Sequence, residues 1–155
     1  MPHPDLEKLL NFCMPFAQKS VAEMGVLFPF AAAITLDGRL RPIAVAEGEG
    51  EPTQEGLMAQ YSAMLKYFAE TEQLSALALC YESFTLLGAE RKMTDAICVL
   101  LEHQHGEAIK ALVPFEKGEE HVQFGELSTV TRSPEFFVQE QEFAPGQQRS
   151  VRLGL

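Results

Sequence analysis

Apolar and polar residues alternate on both sides of Asp37-Gly38, which predicts a β-hairpin within residues 28–47. Asp-Gly tolerates the positive φ angles of a tight turn. If the turn has two residues, one face carries mostly bulky side chains: Phe30, Ala32, Ile34 and Leu36 with Arg39, Arg41, Ile43 and Val45. The other face carries mostly small ones: Pro29, Ala31, Ala33 and Thr35 with Leu40, Pro42, Ala44 and Ala46. We therefore expect helices to pack on the small face.

Apolar residues repeat at helical spacing in two segments. Residues 4–24 carry one apolar stripe, and Pro15 inside it predicts a kink or a break near Asn11–Met14. Residues 54–70 predict a second helix that Thr53 caps. Its apolar positions are Leu57, Tyr61, Met64, Leu65 and Phe68, and its polar positions include Gln60, Lys66 and Glu70.

Three further strands are predicted at residues 74–84, 95–102 and 107–115. The first alternates large and small side chains, as the hairpin does, so we expect the same helix-covered face. The second is apolar on both faces, which is typical of a central strand. A turn at Gln104-His105-Gly106 places His103 opposite Glu107, Leu101 opposite Ile109 and Val99 opposite Ala111. Residues 121–130 are a candidate last strand, and residues 132–143 fit no element.

The predicted fold is α+β, with two main helices on an antiparallel sheet of about five strands in the order α-β-β-α-β-β-β. Pro42 places the second strand at a sheet edge. We expect one domain over residues 1–143 and a mobile tail over residues 144–155. This order resembles the profilin-like and roadblock/longin group of folds. A resemblance of this kind implies a fold and no function.

A short motif in the hairpin resembles the opening of a group of small bacterial proteins that have no assigned role. It covers about a tenth of the chain, at Phe28, Pro29, Phe30, Ala31, Asp37 and Gly38. The resemblance implies a bacterial cytosolic source. It carries no site residue, because aromatic core residues and an Asp-Gly turn are structural features.

Charge and cysteine content limit the classes of partner. The 155 residues include 22 acids and 12 bases, for a net charge of −10, which disfavours nucleic acid and anionic membranes as partners. We see neither a signal peptide nor an apolar run long enough to cross a bilayer. Cys13, Cys80 and Cys98 are odd in number and lie in apolar segments. They predict buried free thiols in a reducing cytoplasm.

His103 and His105 are the residues most typical of a metal site. The spacing His-x-His on a strand places both rings on one face, and His121, or Glu102 and Glu107, could complete the shell. The alternative is an exposed hairpin tip where His103 meets Glu107. Because the sequence fixes no third ligand in space, we predict no metal and no other cofactor.

Charged side chains suggest two binding surfaces. Arg39 and Arg41 share a strand face and could hold a carboxylate or phosphate, although charges on an edge strand also prevent aggregation. A basic partner could contact an acidic surface, whose alternative is a set of solvated loops. The acidic candidates are Glu47, Glu49, Glu51, Glu119 and Glu120.

No catalytic residue is predicted. Cys80 and Cys98 have apolar neighbours, so nothing lowers the pKa of their thiols. Glu82 beside Tyr81 closes a strand, where a functional carboxylate and a partly exposed strand end are both reasonable. Phosphate-binding loops and nucleophile elbows are absent from the sequence.

These observations predict a non-enzymatic protein-binding module, in its simplest form a homodimer. One alternative is an acidic inhibitor of the immunity type that masks a basic toxin, for which the small size and negative charge argue. Another is a small-molecule sensor with a pocket between helix 54–70 and the sheet.

Overall fold

The computed structural model describes residues 2–44 and 53–137. Within these residues the chain forms two helices and seven strands: α1 (Pro4–Met24), β1 (Phe30–Thr35), β2 (Leu40–Ile43), α2 (Gln54–Glu70), β3 (Leu74–Leu87), β4 (Lys92–His103), β5 (Ala108–Lys117), β6 (Val122–Phe124) and β7 (Ser128–Thr131). Every pairing is antiparallel, in the order β2-β1-β3-β4-β5, and both β6 and β7 pair with β5. The predicted α+β class is confirmed.

The two helices lie on opposite faces of the sheet. The face under α1, which we call the α1 face, contributes Ala32, Ile34, Ala76, Ala78, Cys80, Val99 and Leu101 to one core cluster. The α2 face contributes Ala31, Ala33, Leu77, Leu79, Cys98 and Leu100 to another. The expectation that both helices cover a single face is wrong, because each face of this sheet is apolar and needs its own cover.

The register of the β1–β2 hairpin differs from the prediction by one residue. Three residues form the loop, since the Thr35 N–H donates to the Arg39 carbonyl (2.9 Å) and Gly38 has a φ of 87°. Ile34 therefore pairs with Leu40, and Ala33 with Arg41. A one-residue shift moves every facing side chain to the other side. The predicted bulky and small faces are wrong, and their Val45 and Ala46 lie outside the described residues.

Side-chain size is also mixed across neighbouring strands. Ala33 pairs with Leu77, and Ala31 pairs with Leu79, so small residues of β1 lie beside large residues of β3 on the α2 face. Positions 31, 33, 76 and 78 are nevertheless fully buried, at 0–1% exposure. Both faces thus reach close packing through mixed sizes, which is how well-packed interiors fill space.

Helix α1 continues through Pro15, so the chain has no break near Asn11–Met14. Proline removes one N–H donor from the helix and frees the carbonyl of Asn11. Both Pro15 and Asn11 are exposed, so water can satisfy that carbonyl. The helix ends at Gly25, whose φ of 74° gives a left-handed C-cap.

Helix α2 and the β4–β5 hairpin match their predictions. Thr53 caps α2 by accepting from the Gly56 N–H (3.0 Å). Leu101 pairs with Ile109, and the turn between the strands has Gly106 at a φ of 104°. None of the described helices has the length and apolar character that a transmembrane span requires.

Strands β3 and β4 are longer than predicted and form a projecting ribbon. Their pairing continues from Ala76 opposite His103 to Leu87 opposite Lys92. Strand β1 pairs with β3 only as far as Cys80, and β5 pairs with β4 only from Ala96 onwards. We call residues 81–95 the hairpin arm, because no other described strand pairs with them. The polar sequence of residues 87–95 is typical of a connection, but Leu87 ends β3 and residues 92–95 belong to β4, so the turn is confined to residues 88–91.

The last described part of the chain returns along β5. Strand β6 pairs with the end of β5 and β7 with its beginning, so the predicted single strand at 121–130 is two strands. They meet at Gly125, where a Cβ atom would lie 2.7 Å from the Pro114 side chain. Residues 132–137 then pass to the α2 face, and the predicted tail at 144–155 lies outside the described residues.

Candidate functional site

Polar side chains converge where α1 begins beside the β4–β5 turn. His103 ends β4 and is 2% exposed. His3 is the N-cap of α1, and its backbone N–H donates to Glu107 Oε1 (2.7 Å), which ties the helix start to the turn. Asp5 lies in the first turn of α1. We call His3, Asp5 and His103 the histidine cluster.

The distances within the histidine cluster are short. His103 Nε2 lies 3.4 Å from Asp5 Oδ2, and His3 Nδ1 lies 3.8 Å from the same oxygen. The His3 and His103 rings stack with their centroids 3.8 Å apart, and the His105 ring lies 4.8 Å from that of His103. Two imidazoles and one carboxylate therefore share a small, partly buried volume.

Backbone hydrogen bonds fix the protonation of both imidazoles. The Asp5 N–H donates to His3 Nδ1 (3.0 Å), and the His105 N–H donates to His103 Nδ1 (3.2 Å). A neutral imidazole that accepts at Nδ1 carries its proton on Nε2. His103 thus presents Nε2–H to the Asp5 carboxylate. Burial lowers the pKa of His103, as do His3 and His105, while Asp5 opposes the shift.

We expect the free energy of unfolding to fall as the pH drops below about 6.5, the ordinary pKa of histidine. The native pKa of His103 lies below that value, so the unfolded chain binds the proton more readily and acid favours unfolding. Above this range both states are neutral and the contribution vanishes. Urea unfolding in EDTA at several pH values between about 7.5 and 5.5 measures this pH dependence of the free energy of unfolding.

The His103→Gln variant should lose part of this pH dependence. His121→Gln is the matched control, since His121 is exposed, follows the far end of β5 and should leave the dependence unchanged. A His103→Gln variant that folds and keeps the full dependence of the wild type would contradict the assignment.

The structure changes the set of candidate metal ligands. It brings His103 near His105, but His121 lies beyond the opposite end of β5, and Glu102 faces the other side of the sheet. His3 and Asp5 were missed, since about 100 residues separate them from His103. The one local signal was His-x-Asp at the predicted start of α1, where capping residues are common.

Glu102 holds the end of the described chain. Its buried carboxylate accepts from Arg132 (2.5 Å) and from the backbone N–H groups of Glu135 (2.8 Å), Phe136 (2.8 Å) and Phe137 (3.0 Å). These bonds place Phe136 and Phe137 in the core cluster of the α2 face. Glu102 is therefore a structural anchor with its acceptor capacity in use.

The three cysteines are buried and unpaired, as predicted. Burial raises the pKa of the Cys13 thiol to about 12 and raises those of Cys80 and Cys98 as well. Thiols in this state are protonated at neutral pH, and the nucleophile in thiol chemistry is the thiolate. They pack as small hydrophobic side chains.

The structure describes four of the charged candidates, Arg39, Arg41, Glu119 and Glu120. Arg39 precedes the edge strand β2 and Arg41 lies within it; both are exposed, and Arg39 Nε lies 3.3 Å from Asp37. Glu119 and Glu120 are exposed between β5 and β6. Glu47, Glu49 and Glu51 lie outside the described residues. Anion binding and contact with a basic partner stay predictions.

The hairpin arm exposes an apolar surface. Phe84, Leu86 and Met93 point to the α1 face beyond the reach of α1, with exposures of 62%, 45% and 66%. Leu86 and Met93 are direct cross-strand partners. We call these three residues the arm patch.

The arm also presents backbone groups that no described strand pairs with. The Gln104 N–H donates to the Ser75 carbonyl (2.9 Å), so odd-numbered residues of β3 direct their backbone groups to β4. Even-numbered residues of β3, namely Glu82, Phe84 and Leu86, direct theirs to the open edge. One carboxylate oxygen of Glu82 is also buried with no hydrogen-bond partner among the described residues.

Two aromatic side chains from the end of the described chain lie in the region predicted for a sensor pocket. Phe136 and Phe137 pack in the same cluster as Tyr61 and Leu65 of α2. A hollow of about 180 Å³ lies elsewhere, between the arm and β6, with Leu87 and Phe124 in its wall. Pockets for small ligands span about 300–1,000 Å³, so this hollow is small.

Comparison with known proteins adds no assignment. No family model, no curated protein and no solved structure matches this chain. The histidine cluster and the hairpin arm are the two features of the described structure that suggest a function.

Proposed function

We propose that this protein is a non-enzymatic protein-binding module that self-associates through the hairpin arm. The observation that carries the proposal is the coincidence of the arm patch with an open strand edge. Exposed edges of this kind are ready templates for strand pairing, and proteins normally blunt them. Three buried free thiols support a reducing compartment, the cytoplasm, as its location.

The β2 edge of the sheet is protected. Strand β2 carries Pro42, which has no N–H donor, and the charged Arg41. The β3 edge from Tyr81 to Leu87 has no proline and no basic residue, and Glu82 is its single charge. The contrast between the protected edge strand β2 and this apolar segment of β3 supports a pairing role for the β3 segment.

A second copy of the chain is the occupant that fits best. A strand edge that pairs antiparallel about a two-fold axis is self-complementary, because each copy offers the same alternating N–H and C=O groups. Charge also favours a copy: residues 81–95 contain three acids and two bases, a net of −1, while the chain carries −10. Arms in contact therefore repel little, whereas a basic partner is attracted to the acidic surfaces.

Sedimentation equilibrium between about 1 and 100 µM tests the proposal, a range that covers ordinary protein affinities. We expect wild type at twice the 17.2 kDa chain mass. Phe84→Lys and Met93→Lys should raise the dissociation constant at least about 100-fold, since a two-fold axis places each new charge in the interface twice. Val130→Lys is the control, as Val130 is 52% exposed on β7 and outside the arm.

Hydrogen exchange distinguishes edge pairing from simple contact of apolar faces. In the dimer the amides of Glu82, Phe84 and Leu86 should be protected, and dilution or Met93→Lys should remove the protection. A wild type that is monomeric at about 100 µM would overturn the proposal. A dimer that Val130→Lys disrupts and the arm variants leave intact would do the same.

A further inference from the structure

We propose that the histidine cluster binds one divalent transition-metal ion of the zinc type through His3, Asp5 and His103. Each residue offers one ligand atom, and these atoms all lie within 4.8 Å of one another. The inference does not depend on self-association, because it uses residues at the opposite end of the sheet from the hairpin arm.

The spacing is close to that of an occupied site. Zinc bonds of about 2.0–2.2 Å in a tetrahedron separate neighbouring ligand atoms by roughly 3.3–3.6 Å. The two separations from Asp5 Oδ2 are 3.4 Å, to His103, and 3.8 Å, to His3. The third separation, between the His3 and His103 nitrogens, lies within 4.8 Å. Because the two rings are stacked and an imidazole binds an ion in its ring plane, His3 must turn away from His103 before one ion can bind both.

The donor set selects the class of metal. Imidazole nitrogen suits zinc, cobalt, nickel and copper, whereas calcium and magnesium prefer oxygen ligands. With two nitrogens and one oxygen from the protein, a tetrahedral ion keeps one position for water. Glu107 lies beside that set, since its carboxylate holds the backbone N–H of His3.

Metal binding must exchange existing hydrogen bonds. At His3 the ion takes the Nδ1 lone pair that now accepts from the Asp5 N–H. At His103 the ring proton moves from Nε2 to Nδ1, so the bond from the His105 N–H is lost as well. No proton need leave the protein at neutral pH. Because these two hydrogen bonds and the contact of His103 Nε2–H with Asp5 are given up, we expect micromolar affinity, below that of closed four-ligand sites.

Occupancy should strengthen the fold. The ion would join the start of α1 to the β4–β5 turn, which are about 100 residues apart in the chain. An ion that binds the native state alone raises the melting temperature by mass action. Acid should release it, since protons compete for the same imidazole nitrogens.

The test is titration of Zn²⁺ into chelator-stripped, tag-free protein at a pH of about 7.5, where histidine is neutral. Calorimetry should show one equivalent per chain, and the Co²⁺ form should show the visible absorption of a four-coordinate site. In NMR spectra the amides of Asp5 and His105 should shift first. His3→Asn keeps a side chain that caps α1, and Asp5→Asn keeps the shape of Asp5.

Both substitutions should weaken Zn²⁺ binding at least about tenfold, and His121→Gln should leave it unchanged. The proposal is overturned if folded wild type shows no heat and no rise in melting temperature with Zn²⁺. It is also overturned if His3→Asn and Asp5→Asn bind as the wild type does, or if His121→Gln abolishes binding. Because the oligomeric state is measured in a separate experiment, failure of the metal proposal is distinguishable from failure of the arm proposal.

Discussion

Glu102→Ala is expected to lower the free energy of unfolding by about 3–5 kcal/mol, the cost of breaking a buried charged pair. Glu102 is fully buried, and its carboxylate accepts from Arg132 and from three consecutive backbone N–H groups, those of Glu135, Phe136 and Phe137. Alanine removes all four acceptor contacts at once. Buried donors without acceptors each pay a desolvation cost, and Arg132 keeps its charge.

Glu102→Ala should also lose apolar contacts, in addition to the polar contacts of the carboxylate. Residues 132–137 reach the α2 face because Glu102 holds their backbone, and Phe136 and Phe137 are 4% and 7% exposed there. Release of this segment would expose two aromatic side chains that together bury a large apolar area. Urea unfolding of the variant should therefore show a lower midpoint, and partial release in the native state should lower its m-value.

Matched variants separate the anchor from charge alone. Glu102→Gln keeps one acceptor oxygen but turns an N–H donor toward donors, so we expect a smaller loss of about 1–3 kcal/mol. Glu135→Gln removes a nearby exposed carboxylate but keeps the backbone N–H of residue 135 that donates to Glu102. This variant should change the free energy of unfolding by less than about 0.5 kcal/mol. Equal stability of Glu102→Ala and wild type would show that the segment is held by other contacts.

Local sequence signals predicted the parts of this fold that local physics determines. The apolar period of residues 54–70 and the hydroxyl of Thr53 fix α2, because both act within a few residues. The β4–β5 register was predictable since Gly106 provides the left-handed position that its turn needs. In each case the deciding contact is short in sequence.

The errors came from contacts that the sequence pattern does not record. Asp37-Gly38 fits a two-residue or a three-residue loop, and Thr35 decides between them by bonding to Asp37 and Arg39. The two helices pack on opposite faces of the sheet, and this placement depends on contacts between each helix and the sheet. Large and small side chains alternate along a strand whichever face a helix covers, so the alternation could not show which helix packs on which face.

The candidate site follows the same division. His103 and His105 stood out because they are neighbours in sequence, while His3 and Asp5 reach His103 through the packing of α1 on the sheet. Glu102 was considered as a metal ligand because its backbone-anchoring partners lie more than 30 residues away. The arm patch was missed because the sequence of residues 87–95 is typical of a polar connection.

Leu101→Ala is expected to cost about 2–5 kcal/mol, the range for truncating a buried leucine. Leu101 is fully buried on the α1 face, between Ala78 and Ile109 on the neighbouring strands. The cost depends on how far neighbours can move into the void. The methyl side chain of Ala78 is too short to fill the cavity, and α1 is held at its N-terminus by the contacts of His3. The cavity should therefore persist, and the cost should lie in the upper half of the range.

Leu77→Ala is the informative comparison, because Leu77 is equally buried but lies on the α2 face directly opposite Glu102. A cavity beside a carboxylate offers a water molecule polar partners, whereas the cavity at Leu101 has an apolar lining and stays dry. We therefore expect Leu77→Ala to lose less stability than Leu101→Ala in urea unfolding. If Leu77→Ala loses more stability than Leu101→Ala, water beside Glu102 does not offset the cavity that Leu77→Ala creates. The Glu102 carboxylate then depends on packing against Leu77. A double variant with Glu102→Ala would then show the two costs to be non-additive.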